Sequence, residues 1–346
     1  RFTFDLSSGM QIMNNPYDMA NAEGYATIMN TAYNNSGYAD YLTNPSQYRG
    51  KTTDWWGAGI KKASPVNNAS LGVSGGSDKH TYAISLNYYD SESMNAVGGW
   101  ERITMRIAND FKFSDKFSAG ITLNPRYESW GGPGNWADFV KIDPITPIYK
   151  PANQLTGLEN EYSIYARSPS YVWNPVAAVK RYDDYTDQYN LNTNGYLQYA
   201  PIKGLVIRTQ GSIEVGNKVQ SIFKPDFIID AAHEKAEINS VERRATTNND
   251  WTWQTTATYS RTFAEKHNAS LMIGSTMEEY NGNDVWGYGE GVPNNSNSMR
   301  EVNAATKNRD SEGNSWSSSV MSYLSRFSYN YDSKYYFTGT FRRDGS

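Results

Sequence analysis

From Trp316 to Ser346 the chain carries a sustained period-two pattern, and no other feature restricts its fold as much. Met321, Tyr323, Phe327, Tyr329 and Tyr331 share one parity. Ser318, Ser322, Arg326, Ser328 and Asn330 share the other, with Leu324 as the exception. Past the turn Asp332-Ser333-Lys334, Tyr335, Phe337 and Phe341 alternate with Tyr336, Thr338, Thr340 and Arg342. A side-chain period of two means strand, and two such runs about a tight turn mean an antiparallel hairpin. The runs exceed the roughly 5–6 residues of an ordinary sandwich strand. One face is apolar and ends in tyrosines, the other is polar. A barrel strand between lipid and a wet lumen has this pattern.

The same alternation recurs along the chain. Phe2, Phe4, Leu6 and Met10 mark a first strand; Ala69, Leu71 and Val73 a second; Tyr82, Ile84, Leu86 and Tyr88 a third. Ile103, Met105, Ile107, Phe111 and Phe113 give the fourth, and Phe117, Ala119, Ile121 and Leu123 the fifth. Tyr189 to Tyr199, Leu205 to Val215, a strand from Trp251 and one through Leu271 and Ile273 precede the final hairpin, for an expected eleven. Irregular segments are expected at 12–63, where 19–33 has helical character, and at 131–184, 218–249 and 282–314. The short turns each carry a lysine: Lys79, Lys116, Lys203, Lys266 and Lys334. Short and long connections alternate strictly, so all short turns fall on one rim and all long loops on the other, as in outer-membrane barrels. A secreted β-sandwich or solenoid is the soluble alternative.

Composition agrees with a barrel. A mean hydropathy of -0.70 sits beside 14% aromatic residues, 27 of them tyrosine and 10 tryptophan. A spanning barrel needs only alternate residues to be apolar, with aromatic girdles at its interfaces. No run approaches the roughly 18–20 apolar residues of a spanning helix. Cysteine is absent, which excludes disulfides and thiolate metal sites, and a net charge of -4 gives no basic footprint for nucleic acid. An odd strand number conflicts with closure, because an open edge leaves unpaired backbone groups in hydrocarbon. The expectation is a single partial barrel domain over residues 1–346, about 11 of 22 strands, from a mature or truncated polypeptide.

No catalytic constellation emerges, so no enzyme and no cofactor are expected. Gly72-Val73-Ser74-Gly75-Gly76 matches a G-x-S-x-G elbow, but it runs into a hairpin rather than a helix. His80, His233 and His267 are far apart and form no metal-spaced set. Asp183, Asp184, Asp187, Glu278 and Glu279 lack the alternating oxygen ligands of a calcium loop and read as solvated charge. Trp251 and Trp253 read as outer girdle, Trp55 and Trp56 as interface or packing anchors. In the long loops, Trp130, Trp136, Tyr171 and Trp173, with Trp286 further on, are the candidate substrate contacts. Aromatic faces stack on sugar rings and peptide side chains; packing within the loops or against a partner is the other reading. Arg102, Arg106, Arg126, Arg208 and Glu214 fall on the polar parity as lumen-lining groups. They either meet substrate or pair with one another or with a plug.

Several motifs carry a resemblance: Asp54-Trp55-Trp56, Val73-Ser74-Gly75-Gly76-Ser77-Asp78-Lys79, Asn174-Pro175-Val176, Pro201-Ile202-Lys203-Gly204-Leu205 and Phe341-Arg342-Arg343-Asp344-Gly345-Ser346. In this order and spacing they resemble the SusC-like (RagA-like) TonB-dependent outer-membrane transporters of Bacteroidota, over the N-terminal half of that family's 22-stranded barrel. The resemblance implies TonB-dependent import of an oligosaccharide, glycan or peptide, and a SusD-like surface lipoprotein as lid. It also implies energy from TonB-ExbB-ExbD through an N-terminal plug that this stretch lacks, and dimers of transporter–lid pairs. A barrel serving a surface adhesion or protein-secretion assembly is the alternative from another class.

Overall fold

The computed structural model describes residues 1–14, 17–42, 44–132, 136–150, 162–163, 172–228 and 235–346. Alternation in the sequence becomes strand wherever it occurs. In chain order the strands are β1 (Phe2–Ile12), β2 (Ala63–Gly76), β3 (His80–Glu92), β4 (Gly99–Lys112), β5 (Phe117–Gly131), β6 (Asp183–Tyr199) and β7 (Leu205–Lys224). After a two-stranded ribbon of β8 (Phe227–Ile228) and β9 (Lys235–Ala236) come β10 (Ser240–Phe263), β11 (His267–Glu290), β12 (Lys307–Tyr331) and β13 (Tyr335–Gly345). All but the ribbon join one eleven-stranded sheet in sequence order, every pair antiparallel. The expected eleven strands and their order are therefore present, and the turns at the five lysines lie on one rim.

The register shows how the two faces arise. Following hydrogen-bonded partners across the sheet, Phe2 leads to Val73, Ile84, Ile107, Leu123, Thr193, Ile213, Trp251 and Glu279. Ladder rows run perpendicular to the strands, so in strands tilted by about 40° each step of about 4.8 Å also climbs. The eight steps climb roughly 25 Å, the height of the apolar band of an outer-membrane barrel. This is why the row begins at an apolar residue near the short-turn rim and ends at a carboxylate. Along one strand the same band runs from Tyr331 to Met321 on β12. Leu271, Ile273, Phe327 and Phe337 lie in it and are exposed on this face. The Gly195–Gly211 pair forms a low floor in the band, and the Trp253 ring leans over Gly211.

Four strands are longer than their alternation. The sequence places loops at 218–249 and 282–314, whereas β7 continues to Lys224, β10 starts at Ser240, β11 continues to Glu290 and β12 starts at Lys307. Above the apolar band both faces meet water. The period-two signal vanishes there although the ladder of backbone hydrogen bonds continues. The strand containing Trp251 thus begins eleven residues before it.

Almost no side-chain core lies within the sheet. The buried apolar residues cluster instead in the long connections, which carry α1 (Ala22–Asn35), α2 (Trp55–Gly59), α3 (Asp138–Lys141) and α4 (Pro175–Arg181). Trp55, Phe139, Ile142, Val172, Val176 and Val179 form one cluster, so the connections after β1 and β5 pack as a single body. Phe223 at the end of β7 and Val241 at the start of β10 form a second with Val292 and Ala305 of the connection after β11.

Candidate functional site

The polar face of the sheet, near the rim bearing the long connections, gathers aromatic and charged side chains. On β3 to β5, Tyr89, Arg102 and Glu128 fall in one ladder row, and Trp100 pairs with Trp130 in the next. The parity that turns Ile103 outward turns its neighbour Arg102 inward. The Tyr89 and Trp100 rings lie 5.2 Å apart, with the Arg102 guanidinium carbon 5.4 Å from the first centroid and 5.0 Å from the second. Glu128 is engaged by Arg126 at 3.1 Å.

A second cluster lies at the same rim on β10 and β11. Trp286 and Tyr288, two apart and so on one face, stack at 5.9 Å with 13° between planes. The Trp286 indole donates to Glu242 at 2.6 Å, and the Tyr288 hydroxyl donates to Glu290 at 2.7 Å. Asn308 donates to the other Glu290 oxygen at 2.6 Å. These two hydrogen bonds hold the Glu290 carboxyl below the usual carboxylate range, while burial, with Glu290 second, raises Tyr288.

The sequence places Trp130 and Trp286 in long loops. The structure corrects this: both are strand residues of the polar face, because β5 and β11 outlast their apolar alternation. Trp136 is half exposed in the turn before α3. Trp173 meets Phe227 edge-on at 6.2 Å, and the Arg181 guanidinium lies over the Phe227 ring at 3.7 Å. Tyr171 and His233 lie outside the described residues. Of the lumen-lining set, Arg106 reaches Asn124 at 3.5 Å, Arg126 pairs with Glu128, Arg208 lies 3.9 Å over the Tyr196 ring, and Glu214 accepts from Asn192 at 3.4 Å. Arg102, Arg106, Arg126, Arg208 and Glu214 are thus distributed down the polar face and do not converge on one point.

Sequence reasoning passed over Tyr89, Trp100 and Glu242 as members of these clusters, and noticed Tyr288 only as a loop aromatic beside Trp286. Trp100 shares the parity of Arg102, Thr104 and Arg106, a signal strong enough to have found it. Glu242 lay inside a presumed loop and gave none.

Other candidates resolve into structure. His80 stacks on Phe111 at 4.5 Å, and His267 meets the Tyr329 hydroxyl at 2.6 Å. Asp183 pairs with Arg300, Asp184 accepts from Gln220 and Asp187 from Tyr127. Gly72 to Gly76 lie in β2, which passes into a hairpin with β3. Among the described residues, no group of three or more His, Cys, Asp or Glu is placed to hold a metal ion.

No family model matches the chain. It is 24% identical over 338 residues to the TonB-dependent receptor P26 of Formosa agariphila, covering 96% of this chain and 33% of that protein. It is 27% identical over 347 residues to the TonB-dependent receptor P3 of the same organism, covering 99% and 33%. Against the TonB-dependent receptor SusC of Bacteroides thetaiotaomicron it is 22% identical over 367 residues, covering 95% and 33%. The solved structure of the RagAB peptide transporter superposes with a TM-score of 0.77 at 21% identity, over 99% of this chain and 42% of that one. The chain spans about a third of the length of the curated relatives it matches. The resemblance in the motifs is borne out: the fold is that of a TonB-dependent receptor barrel, an outer-membrane architecture.

Proposed function

We propose that this chain takes part in TonB-dependent import of a large hydrophilic nutrient, an oligosaccharide or a peptide, across the outer membrane. Its relatives are receptors and transporters rather than enzymes, and the proposal gives the chain no chemistry on its cargo. The observation that carries it is the polar face itself. Aromatic rings beside charged groups, at Trp100–Arg102 and Trp286–Glu242, lie at the rim from which every long connection departs. A hydrated solute with stacking faces is the cargo such a wall suits.

The partners follow from the same reading: a SusD-like surface lipoprotein seated on the long connections as a lid, energy from TonB-ExbB-ExbD, and association of transporter–lid pairs into dimers. β1 and β13 each have one neighbour in the sheet, and a sheet in hydrocarbon must close. We propose that residues 1–346 form one partial barrel domain, completed by further strands and a plug in a longer polypeptide. A denatured mass of the native protein well above 38.9 kDa is expected, and a mass near that value would contradict this part.

The functional test is affinity purification of the tagged native protein from its own membranes, with uptake measured in the presence and absence of TonB. Copurification of a surface lipoprotein and loss of uptake without TonB are expected. TonB-independent behaviour with adhesin or secretion components as partners would replace import by the surface-assembly reading.

A further inference from the structure

Arg102 is the one member of the lumen-lining set whose side chain has no polar partner among the described residues. Its guanidinium makes no hydrogen bond or ion pair with any described residue, and its Nε is buried without a partner. Buried polar groups are ordinarily satisfied, and an unsatisfied one calls for a cause. The acid directly across the ladder, Glu128, is occupied by Arg126 at 3.1 Å and does not supply it.

The guanidinium is nevertheless held. The Tyr89 and Trp100 rings, 5.2 Å apart, both lie against it, with centroids 5.4 and 5.0 Å from its central carbon, on two strands locked in register. Cation–π contact restrains the group while leaving its charge and its terminal N–H donors uncommitted. An arginine fixed in this way loses little conformational freedom when an anion arrives, and its fork matches a carboxylate. Trp130, paired with Trp100, adds an aromatic surface next to it. The position also suits a cargo: the adjacent Ile103 lies in the outward row with Tyr88, Tyr127 and Tyr189, so Arg102 sits at the height of the upper aromatic girdle.

We propose that Arg102, clasped by Tyr89 and Trp100, is an anchoring site for a carboxylate of the transported molecule. Resting on the import reading, it narrows the cargo to carboxylate-bearing oligomers. The carboxylate belongs either to a peptide or to a uronic-acid sugar, and Trp130 offers a stacking surface to both.

The test uses the full-length protein with its copurifying lipoprotein, in detergent, and native mass spectrometry. One probe pair is a defined pool of synthetic peptides lacking Asp and Glu, with free or amidated C-termini. The other is oligogalacturonides and their methyl esters. Wild type is expected to retain one free-acid series over its blocked counterpart, and Arg102→Gln to weaken that retention by about ten- to a hundredfold. Arg102→Lys, a point charge without the fork, is expected to recover only part of it. Heat-modifiable electrophoretic mobility reports folding of each variant; should Arg102→Gln fail to fold, Trp100→Leu keeps the charge, loses the clasp and is expected to lower the acid preference.

Equal retention of free and blocked forms by wild type, in both series, would overturn the proposal. So would an acid preference that survives in folded Arg102→Gln, or in folded Trp100→Leu if that variant replaces it. TonB-dependent uptake of a cargo without carboxylates would remove the anchor and leave the import reading intact, whereas uptake independent of TonB would remove the import reading itself.

Discussion

Trp55 donates its indole N–H to the backbone carbonyl of Asp143, 88 residues further along, at 2.8 Å. Thr53 makes a backbone bond to Pro144 at 2.9 Å beside it, and Trp55 is buried among Phe139, Val176 and Val179. The connections after β1 and β5 are therefore one structural unit, and any lid seated on this rim meets them together. Trp55→Phe keeps most of the apolar contact and loses the hydrogen bond. It is expected to lower the local stability of both connections by about 1 kcal/mol, seen as faster amide exchange in α2 and α4 alike. Exchange that rises in α2 alone would show that the connections are independent.

Asn174 is the pin of the second connection. Its Oδ1 accepts from the Ala177 amide at 3.1 Å as the N-cap of α4, and its Nδ2 donates to the Ile148 carbonyl at 2.9 Å. Pro175 follows at the first helical position, where its missing N–H is no loss. Asn174→Ala is expected to destabilise this connection by about 2–3 kcal/mol, a lost cap plus an unsatisfied buried carbonyl. Limited proteolysis in membranes checks it; wild-type resistance of the variant would count against the role.

The two glycines of the outward floor are not equivalent. A Cβ on Gly211 would meet the Trp253 ring at 3.0 Å, whereas on Gly195 its nearest contact is the Gly120 carbonyl at 3.5 Å. Gly211→Ala is expected to lift Trp253 and destabilise the barrel by about 1 kcal/mol or more. Gly195→Ala is expected to be neutral or stabilising by up to about 1 kcal/mol, as strand glycine is intrinsically unfavourable. Urea unfolding in lipid vesicles compares them, and an equal effect of the two would refute the distinction.

Arg49 donates to both Glu23 oxygens, at 2.9 and 2.7 Å, tying the first turn of α1 to the short helical turn at Pro45–Tyr48. The Arg49 hydrogen bond holds the Glu23 carboxyl below its ordinary value of 4.5. With the folded pKa depressed, this tie is fully present above the ordinary carboxylate pKa and is lost as pH falls through the lowered folded value. Amide exchange in α1, compared between wild type and Glu23→Gln, is expected to differ at neutral pH and to converge in acid. A difference that persists unchanged in acid would contradict the assignment.

The membrane-facing half of each strand was legible because lipid on one side and water on the other impose alternation: Leu271, Ile273 and Phe327 could fall on no other face. Where both sides are wet, as from Gly282 to Glu290, the ladder persists with nothing in the side chains to mark it. Trp286 was therefore noticed as an aromatic residue and misplaced as loop. The motif Asp54-Trp55-Trp56 was legible as packing, but its partner at Asp143 was not, since a contact between connections leaves no periodic trace. The Arg102 clasp was half visible: parity put Arg102 on the polar face, while the meeting of Tyr89 and Trp100 across two strands depends on register.

The assignment of the two faces is the claim from which the rest follows, and it is directly measurable: residues 1–346 contain no cysteine, and any cysteine elsewhere in the full-length protein is first replaced by serine. Single cysteines at Ile273 and Phe327 on one parity, and at Gln254 and Thr256 on the other, are spin-labelled in the full-length protein in outer-membrane vesicles. The account predicts that nitroxides at 273 and 327 relax with oxygen dissolved in lipid, and those at 254 and 256 with a water-soluble nickel complex. Water-type accessibility at all four sites would contradict a membrane-spanning barrel, and with it the import proposal.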